Sequence, residues 1–389
     1  MTASLTFFEG TTDLPVEDLT VPLLVQVDRG GVEVVDRLAD EWRGLCAQVS
    51  DDQPFHRPEF IRAHIHTSIH RPKVLVLTVR RDGKLEFILP LVEEFATFSK
   101  VPLRRLRAPV SFHCGRFDGV CRPGMGGRTS ALAAWRYLKH MQNWDMMHLR
   151  YSTGEGVVSR LAQMALQDGF KTLEVADRPN PFVPVHVTIE QLERMPPNPK
   201  LRSQLRQARR KLLEQGAISF YRVDRADPEA LERLFALENS GWKGRNKSSV
   251  NSHPSTRRFF NELAESAARF GYLSLYMLEF NGELIAAHFS LTYKNRCYSP
   301  VVAYNENYKQ FAPGHLIVGE ILRDCASRGI DGFDITGQDQ DWKMKWTNEA
   351  RPVNHHYIFK GPLGNLAYTV ASKFKPALGR LLSPKEKVA

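Results

Sequence analysis

Two β-rich runs on either side of Asn281-Gly282 constrain this chain more than any other feature. Residues 272–280 and 283–293 alternate in strand fashion, and Asn-Gly suits a two-residue turn in which both positions take positive φ. Lys294-Asn295 predicts a second turn and 296–303 a third strand. Pro313-Gly314 then opens a helix that runs to about 327 and ends at Gly329; 332–335 reads as a short strand. Upstream, Leu201, Leu205, Ala208 and Leu212 fall at helical spacing before Gly216, and 217–223 reads as a strand. Asp227 is the expected N-cap of a helix over 228–240. A loop with Gly241-Trp242-Lys243-Gly244 follows, then a helix over 255–270. The last strand is expected at 353–360 and the last helix at 365–382.

The first half repeats this order. Residues 73–79 and 84–92 flank Asp82-Gly83 as another hairpin, 129–141 reads as a helix and 144–149 as a strand. The interval from Gly83 to Asp145 resembles that from Gly282 to Phe333, which suggests a weak internal repeat of elements. Between the halves lie Pro179, Pro181, Pro184, Pro196, Pro197 and Pro199, which disfavour long regular elements over 177–200. The expected organisation is therefore a first half over 1–180, a proline-rich connection over 181–200 and a second half over 201–389. A length of 389 residues suits two domains at roughly 100–200 residues each, or one large one.

Composition narrows the class. Hydrophobic residues are 42% and charged residues 25%, as in an ordinary globular protein. The net charge of +10 either serves solubility or favours anionic partners. The five cysteines, Cys46, Cys114, Cys121, Cys297 and Cys325, form no CxxC pair, which argues against a zinc site or a disulfide framework and for a reducing compartment. The N-terminal segment has no signal-peptide pattern, and no run approaches the roughly 18 apolar residues of a membrane span. A cytoplasmic, soluble or peripheral protein is expected.

Several residues could carry chemistry. The strand, polar loop and Pro-Gly helix start over 301–321 either form an ordinary helix N-terminus or hold a diphosphate on exposed amides. Trp242 reads as a core anchor or, with Lys243, as lining of an acceptor site. Asp334 ends a strand, where it is either a turn former or a general base. Lys343 lies in a loop with Asp339, Asp341, Lys345 and two tryptophans. His288 sits inside an apolar strand as a structural residue or a proton carrier. Tyr304 and Tyr308 flank the loop, where a tyrosine would protonate a leaving thiolate. The basic helix over 200–211 is a solvated face or a contact for an anionic acceptor, tRNA or membrane. The last helix, carrying Lys373, Lys375 and Arg380, docks on the second half or touches a membrane surface. A P-loop, HExxH and GxSxG are all missing. His113 and Cys114, as strand neighbours, point to opposite faces and make no dyad. His64, His66 and His70 have helical spacing but no supporting cluster, so no metal site is expected. Residues 124–127 read as a turn before a helix and not as a second cofactor site.

Taken in order, these motifs resemble the CelD-like branch of the GNAT acyltransferases, named for an association with cellulose production. The resemblance rests on Glu41-Trp42, Pro54-Phe55, Pro58-Glu59-Phe60, Asp82-Gly83, Leu89-Pro90-Leu91, Arg209-Arg210-Lys211-Leu212, Gly241-Trp242-Lys243-Gly244 and Ala312-Pro313-Gly314. It continues through Phe333-Asp334-Ile335-Thr336-Gly337, Asp341-Trp342-Lys343 and Lys345-Trp346-Thr347. It spans roughly residues 40 to 360, and its layout is similar to that of Fem-type peptidyltransferases. It implies an α/β fold with a mixed sheet, in two GNAT-like halves in tandem, the second holding an acyl-CoA, acetyl-CoA first among them. The usual Gln/Arg-x-x-Gly-x-Gly/Ala pattern is met at Gln310 but not at Pro313 and His315. By this resemblance Val302, Ala303, Gln310, Phe311, Ala312, Pro313, Gly314 and His315 hold the thioester, the bulge near Val302 and Ala303 supplying oxyanion donors. Trp242, Lys243 and Lys343 bind the acceptor, and Asp334, His288 and Tyr304 carry proton transfer. The implied reaction is N-acylation of an amine on a small molecule or a sugar or envelope precursor, linked to exopolysaccharide or envelope synthesis. The rivals are a Fem-like enzyme using aminoacyl-tRNA, and a non-catalytic assembly factor of the same fold.

Overall fold

A computed structural model describes residues 3–5, 22–50, 52–68, 71–110, 116–154, 156–185 and 194–373. The chain divides into two compact units. One comprises the described residues up to Asp177 together with those from Pro352 on; the other spans Arg178–Arg351.

The first unit begins with β1 (Ala3–Leu5), β2 (Leu23–Gly30), α1 (Val32–Gln48) and α2 (Pro58–Thr67), followed by β3 (Lys73–Arg81) and β4 (Lys84–Phe98). Next come β5 (Val101–Arg107), β6 (Val120–Cys121), α3 (Gly124–His140), β7 (Met146–Ser152), α4 (Val157–Gln167) and β8 (Lys171–Pro184), whose residues divide between the units. β2 to β5 pair antiparallel in chain order, while β5 and β7 run parallel as Arg105↔Met146, Leu106↔Met147 and Arg107↔His148. The core lies between the sheet and α3 and α4: Leu75, Leu77 and Leu89 from the hairpin pack with Trp135, Leu138 and Leu161.

The second unit contains α5 (Pro199–Gln215), β9 (Ile218–Val223), α6 (Pro228–Ser240), α7 (Trp242–Arg245), α8 (Pro254–Arg269) and β10 (Leu273–Phe280). It continues with β11 (Glu283–Tyr293), β12 (Arg296–Tyr304), α9 (Pro313–Ser327), β13 (Gly332–Asp334) and α10 (Asp341–Met344). Strand β14 (Ala350–Phe359) and α11 (Gly361–Lys373) close the described chain. Helix starts follow the expected chemistry: Asn198 accepts from the Leu201 amide and Asp227 from the Ala230 amide, each before a proline at the first helical turn.

The repeat of elements is real at the level of geometry. Asp82-Gly83 and Asn281-Gly282 all take positive φ, as a two-residue hairpin turn of this hand requires. Both hairpins also slip register just before the turn, at Val79/Arg80 and at Leu278/Glu279. Each third strand then pairs parallel with a strand that follows a helix, β5 with β7 and β12 with β13.

Four expectations are corrected by local physics. Residues 171–184 form a strand despite Pro179, Pro181 and Pro184, because neighbouring groups keep the ladder going: Phe182 donates to Glu349 and Pro181 accepts from Ile335. The expected boundary at 180 thus falls inside β8. The last strand and helix group with the first unit and not with the second, since β14 pairs with β7 and Lys360 donates its amide to Asp145. Residues 124–127 are the first turn of α3 and not a preceding loop; a Cβ on Gly127 would meet the Arg122 carbonyl at 1.7 Å, so only glycine allows this approach. The Gly241-Trp242-Lys243-Gly244 segment is largely the short helix α7, closed by Asn246 donating to Trp242. His64 and His66 lie on α2, while His70 and the His113-Cys114 pair fall outside the described residues.

Candidate functional site

Strands β12 and β13 pair only as far as Tyr298↔Asp334. Beyond that point β13 ends while β12 continues to Tyr304, so the two strands part. The bulge in β12 sits at the start of this gap. Phe289 opposes Val301 and Leu291 opposes Tyr298, which leaves Ser299 and Pro300 as the bulged pair. It therefore lies three residues earlier than Val302 and Ala303, where the sequence placed it. Pro300 explains the position, since a proline without an N–H is tolerated where ladder bonding is already broken.

Side chains from four segments converge on the gap. Lys243, on α7, donates from Nζ to the Val302 carbonyl at 3.0 Å and to Glu238 Oε1 at 2.7 Å. Glu238 is buried on α6 and also accepts from the Val250 amide. Thr336, just past β13 with φ of 40°, donates from Oγ1 to the Ser299 carbonyl at 2.8 Å. Lys343, on α10, donates from Nζ to the Thr336 carbonyl at 2.6 Å and lies 5.7 Å from the Trp342 ring centroid. In an antiparallel strand the N–H and C=O of one residue point the same way. The Val302 amide therefore faces the gap beside the Lys243 ammonium.

The electrostatics show that these groups act on one another. Lys343 is 7% exposed, and burial together with the Lys243 charge brings its pKa down to about 8, against the opposing pull of Asp334 and Asp339. His288 is buried, with Nδ1 3.1 Å from Ser299 Oγ. Burial, then Lys243 and Lys343, hold its pKa down to about 3, so it is neutral at ordinary pH. Ser290 in turn bonds Ser299. Asp334 is fully buried and accepts from the Thr336 amide at 2.9 Å, the geometry of a turn-forming aspartate.

The loop expected to hold a diphosphate is built differently from the sequence expectation. It is a 3-10 turn over Glu306–Phe311 that leads into α9 through Ala312 in the left-handed region. Ala312 donates to Lys309, and His315 and Leu316 both donate to Ala312. Pro313 has no amide proton, which leaves the Gly314 amide as the main donor at the helix start. Two carboxylates border the loop. Glu306 accepts from the Trp242 amide and from Arg245, and Glu283 accepts from Tyr308 and Asn305. His315 accepts from Trp346 Nε1 at 3.0 Å, and burial lowers its pKa to about 4.

Of the residues singled out from sequence, Lys243, Lys343, Asp334, His288 and Val302 meet at the gap. Tyr304 lies instead at the loop, 38% exposed, where a Cβ on Gly314 would meet its ring at 3.5 Å. Trp242 is 43% exposed and is no core anchor. Ala303, paired with Ala287, faces β11. Gln310, Phe311 and Ala312 belong to the 3-10 turn and its cap. Glu238, Ser299 and Thr336 were not singled out. Glu238 lies five residues before Lys243, a spacing that brings the pair together only because the helix breaks at Gly241. Among the described residues no group of three or more His, Cys, Asp or Glu could hold a metal. No described helix is long and apolar enough to cross a membrane.

Residues 199–344 match the family model described as an acetyltransferase (GNAT) domain. The second unit has a GNAT fold. The full architecture is similar to that of FemX, at 12% identity and a TM-score of 0.60, covering 85% of this chain and 98% of that one. It is also similar to the C-terminal domain of a putative lysylphosphatidylglycerol synthetase from Agrobacterium fabrum, at 10% identity and a TM-score of 0.52, covering 88% and 97%. A conserved protein of unknown function from Bacteroides thetaiotaomicron is similar at 9% identity and a TM-score of 0.52, covering 83% and 97%. These likenesses extend over both units, and the chain shares the fold of these proteins. No curated protein matches the sequence.

Proposed function

We propose that this protein is an N-acyltransferase whose chemistry takes place in the gap between β12 and β13, with a CoA thioester as donor and an amine as acceptor. The observation that carries this reading is the convergence of Lys243, Lys343 and the Val302 backbone where the strands part. The GNAT match over 199–344 supports the reaction class and the CoA donor. The resemblance supplies the acceptor class, an amine on a small molecule or on a sugar or envelope precursor.

The reaction joins the amine nitrogen to the acyl carbon, breaks the bond from that carbon to the carrier, and moves one proton from nitrogen to the departing atom. The Val302 amide and the Lys243 ammonium stabilise the oxyanion; one well-placed donor contributes about 3 kcal/mol. Lys343 performs the proton relay. With a pKa of about 8 it samples both forms near neutrality, accepting from the attacking nitrogen and returning the proton to the leaving group. Asp334 acts through Lys343 by supporting its charge. His288, neutral and bonded to Ser299, fixes the floor of the site.

A second donor, the aminoacyl ester of a tRNA, is favoured by one observation. The diphosphate loop keeps most of its amides for itself and is bordered by Glu306 and Glu283, which oppose a CoA diphosphate. Calorimetric titration with acetyl-CoA, alongside an acylation assay with an aminoacylated RNA minihelix, separates the two. Saturable heat with acetyl-CoA supports the first. No heat at millimolar acetyl-CoA, with transfer from the minihelix, replaces it by the second. Failure of both removes the enzyme reading.

A further inference from the structure

We propose that the face of the first unit formed by Phe95, Leu363 and Leu366 seats on an anionic lipid bilayer. Phe95 lies on β4 opposite Arg104 and is 87% exposed, an unusual position for a phenylalanine. Leu363 and Leu366 sit one turn apart on α11 at 45% and 51% exposed, while Gly364, Ala367 and Ala371 are the residues that α11 buries. Phe95 and Leu363 border one shallow cavity of about 410 Å³, whose other walls are Ala96, Thr97, Pro102, Leu103 and the Arg104–Asp145 ion pair. Phe95 and Leu363 thus belong to one patch drawn from a hairpin and a helix, with Leu366 the next exposed apolar residue along that helix, and such a patch rimmed by polar groups marks an interaction surface.

Charge identifies the occupant. Lys100 at the hairpin tip and Lys373 at the end of α11 are exposed. The acids nearby are already paired: Asp145 with Arg104, Glu93 with Arg29, and Glu94 with Arg105 and Arg107. From Pro352 to the end of the sequence there are six basic residues, Lys360, Lys373, Lys375, Arg380, Lys385 and Lys387, against Glu386 alone. That stretch therefore supplies five of the ten net positive charges. The sequence after α11 also carries Phe374, Leu378, Leu381 and Leu382 between its basic residues. Apolar insertion and a polybasic stretch are the two signals that together hold a protein on an anionic membrane. A surface for RNA would present basic groups with stacking aromatics instead of leucines.

The test is co-sedimentation of the full chain with vesicles of phosphatidylcholine alone and with phosphatidylglycerol added. Binding should require phosphatidylglycerol and weaken with salt. Phe95→Ser with Leu366→Ser should lower the partition coefficient at least about tenfold, with the melting temperature kept because both side chains are exposed. If the double variant is less stable, Phe95→Ser alone serves the same comparison. Binding that is unchanged in these variants overturns the proposal, as does equal binding to neutral vesicles or none to either. It is also overturned if the patch proves to be a dimer contact, seen as a monomer shift in light scattering of the double variant without vesicle binding. Preferential capture by RNA over vesicles would likewise overturn it.

Discussion

Replacing Lys343 by methionine should stabilise the protein while abolishing transfer. A buried lysine whose pKa falls from 10.5 to about 8 carries a penalty of about 3 kcal/mol in its charged form. Methionine fills a similar volume without that charge. It also loses the hydrogen bond to the Thr336 carbonyl, worth about 1 kcal/mol. The net gain at pH 7 is therefore about 2 kcal/mol. Its pH dependence is the sharper signature. Below pH 8 the lysine is protonated in both native and unfolded chains, and the native state bears the whole penalty. Between pH 8 and 10.5 the native lysine has lost its proton and the unfolded one keeps it, so wild-type stability rises with pH and the gain from methionine shrinks. Urea denaturation of both proteins at pH 6.5, 7.5, 8.5 and 9.5 measures the difference. A destabilised methionine variant, or a gap independent of pH, would refute the electrostatic picture of the gap.

Other consequences can be checked alongside. Asp334→Asn removes the charge that supports protonated Lys343; the acidic limb of the pH–rate profile, set by the neutral lysine that accepts the proton, should move to lower pH, and an unmoved limb rules out Lys343 as the relay. Gly314→Ala meets only ordinary contact with Tyr304 and should leave the melting temperature within a few degrees. Gly314→Asp, which adds a charge to the helix start, should instead weaken acetyl-CoA binding at least about tenfold by calorimetry. A Cβ on Gly244 would lie 1.8 Å from the Asn239 carbonyl; Gly244→Ala should therefore displace α7 and Lys243, costing about 2 kcal/mol in denaturant unfolding and most of the activity.

Short-range signals carried much of the fold. The two hairpins were legible because Asp-Gly and Asn-Gly turns leave little choice of geometry, α5 because Leu201, Leu205, Ala208 and Leu212 keep helical spacing before Gly216, and α6 because Asp227 caps before a proline. What could not be read was pairing over long separations. β14 inserts beside β7 from the far end of the sequence, and nothing local to 350–359 says so. The prolines of β8 misled for the same reason, since a strand tolerates them where its partners leave the N–H unused. At the site, the Trp242-Lys243 step flanked by glycines and an aspartate ending a strand pointed to two residues that lie beside the gap. The amide economy of the 306–316 segment was not legible: Ala312 in the left-handed region, accepting from two amides, is set by how α9 packs on β10 to β12. The buried partner Glu238 was equally hidden, because its role depends on where a helix breaks.

A crystal structure with a hydrolysis-resistant acyl donor bound would test the gap directly. The acyl oxygen should lie about 3 Å from the Val302 nitrogen, with the departing atom in reach of Lys343 Nζ. An acyl group bound anywhere else, with the gap between β12 and β13 empty of it, would contradict the assignment of the chemistry to this site.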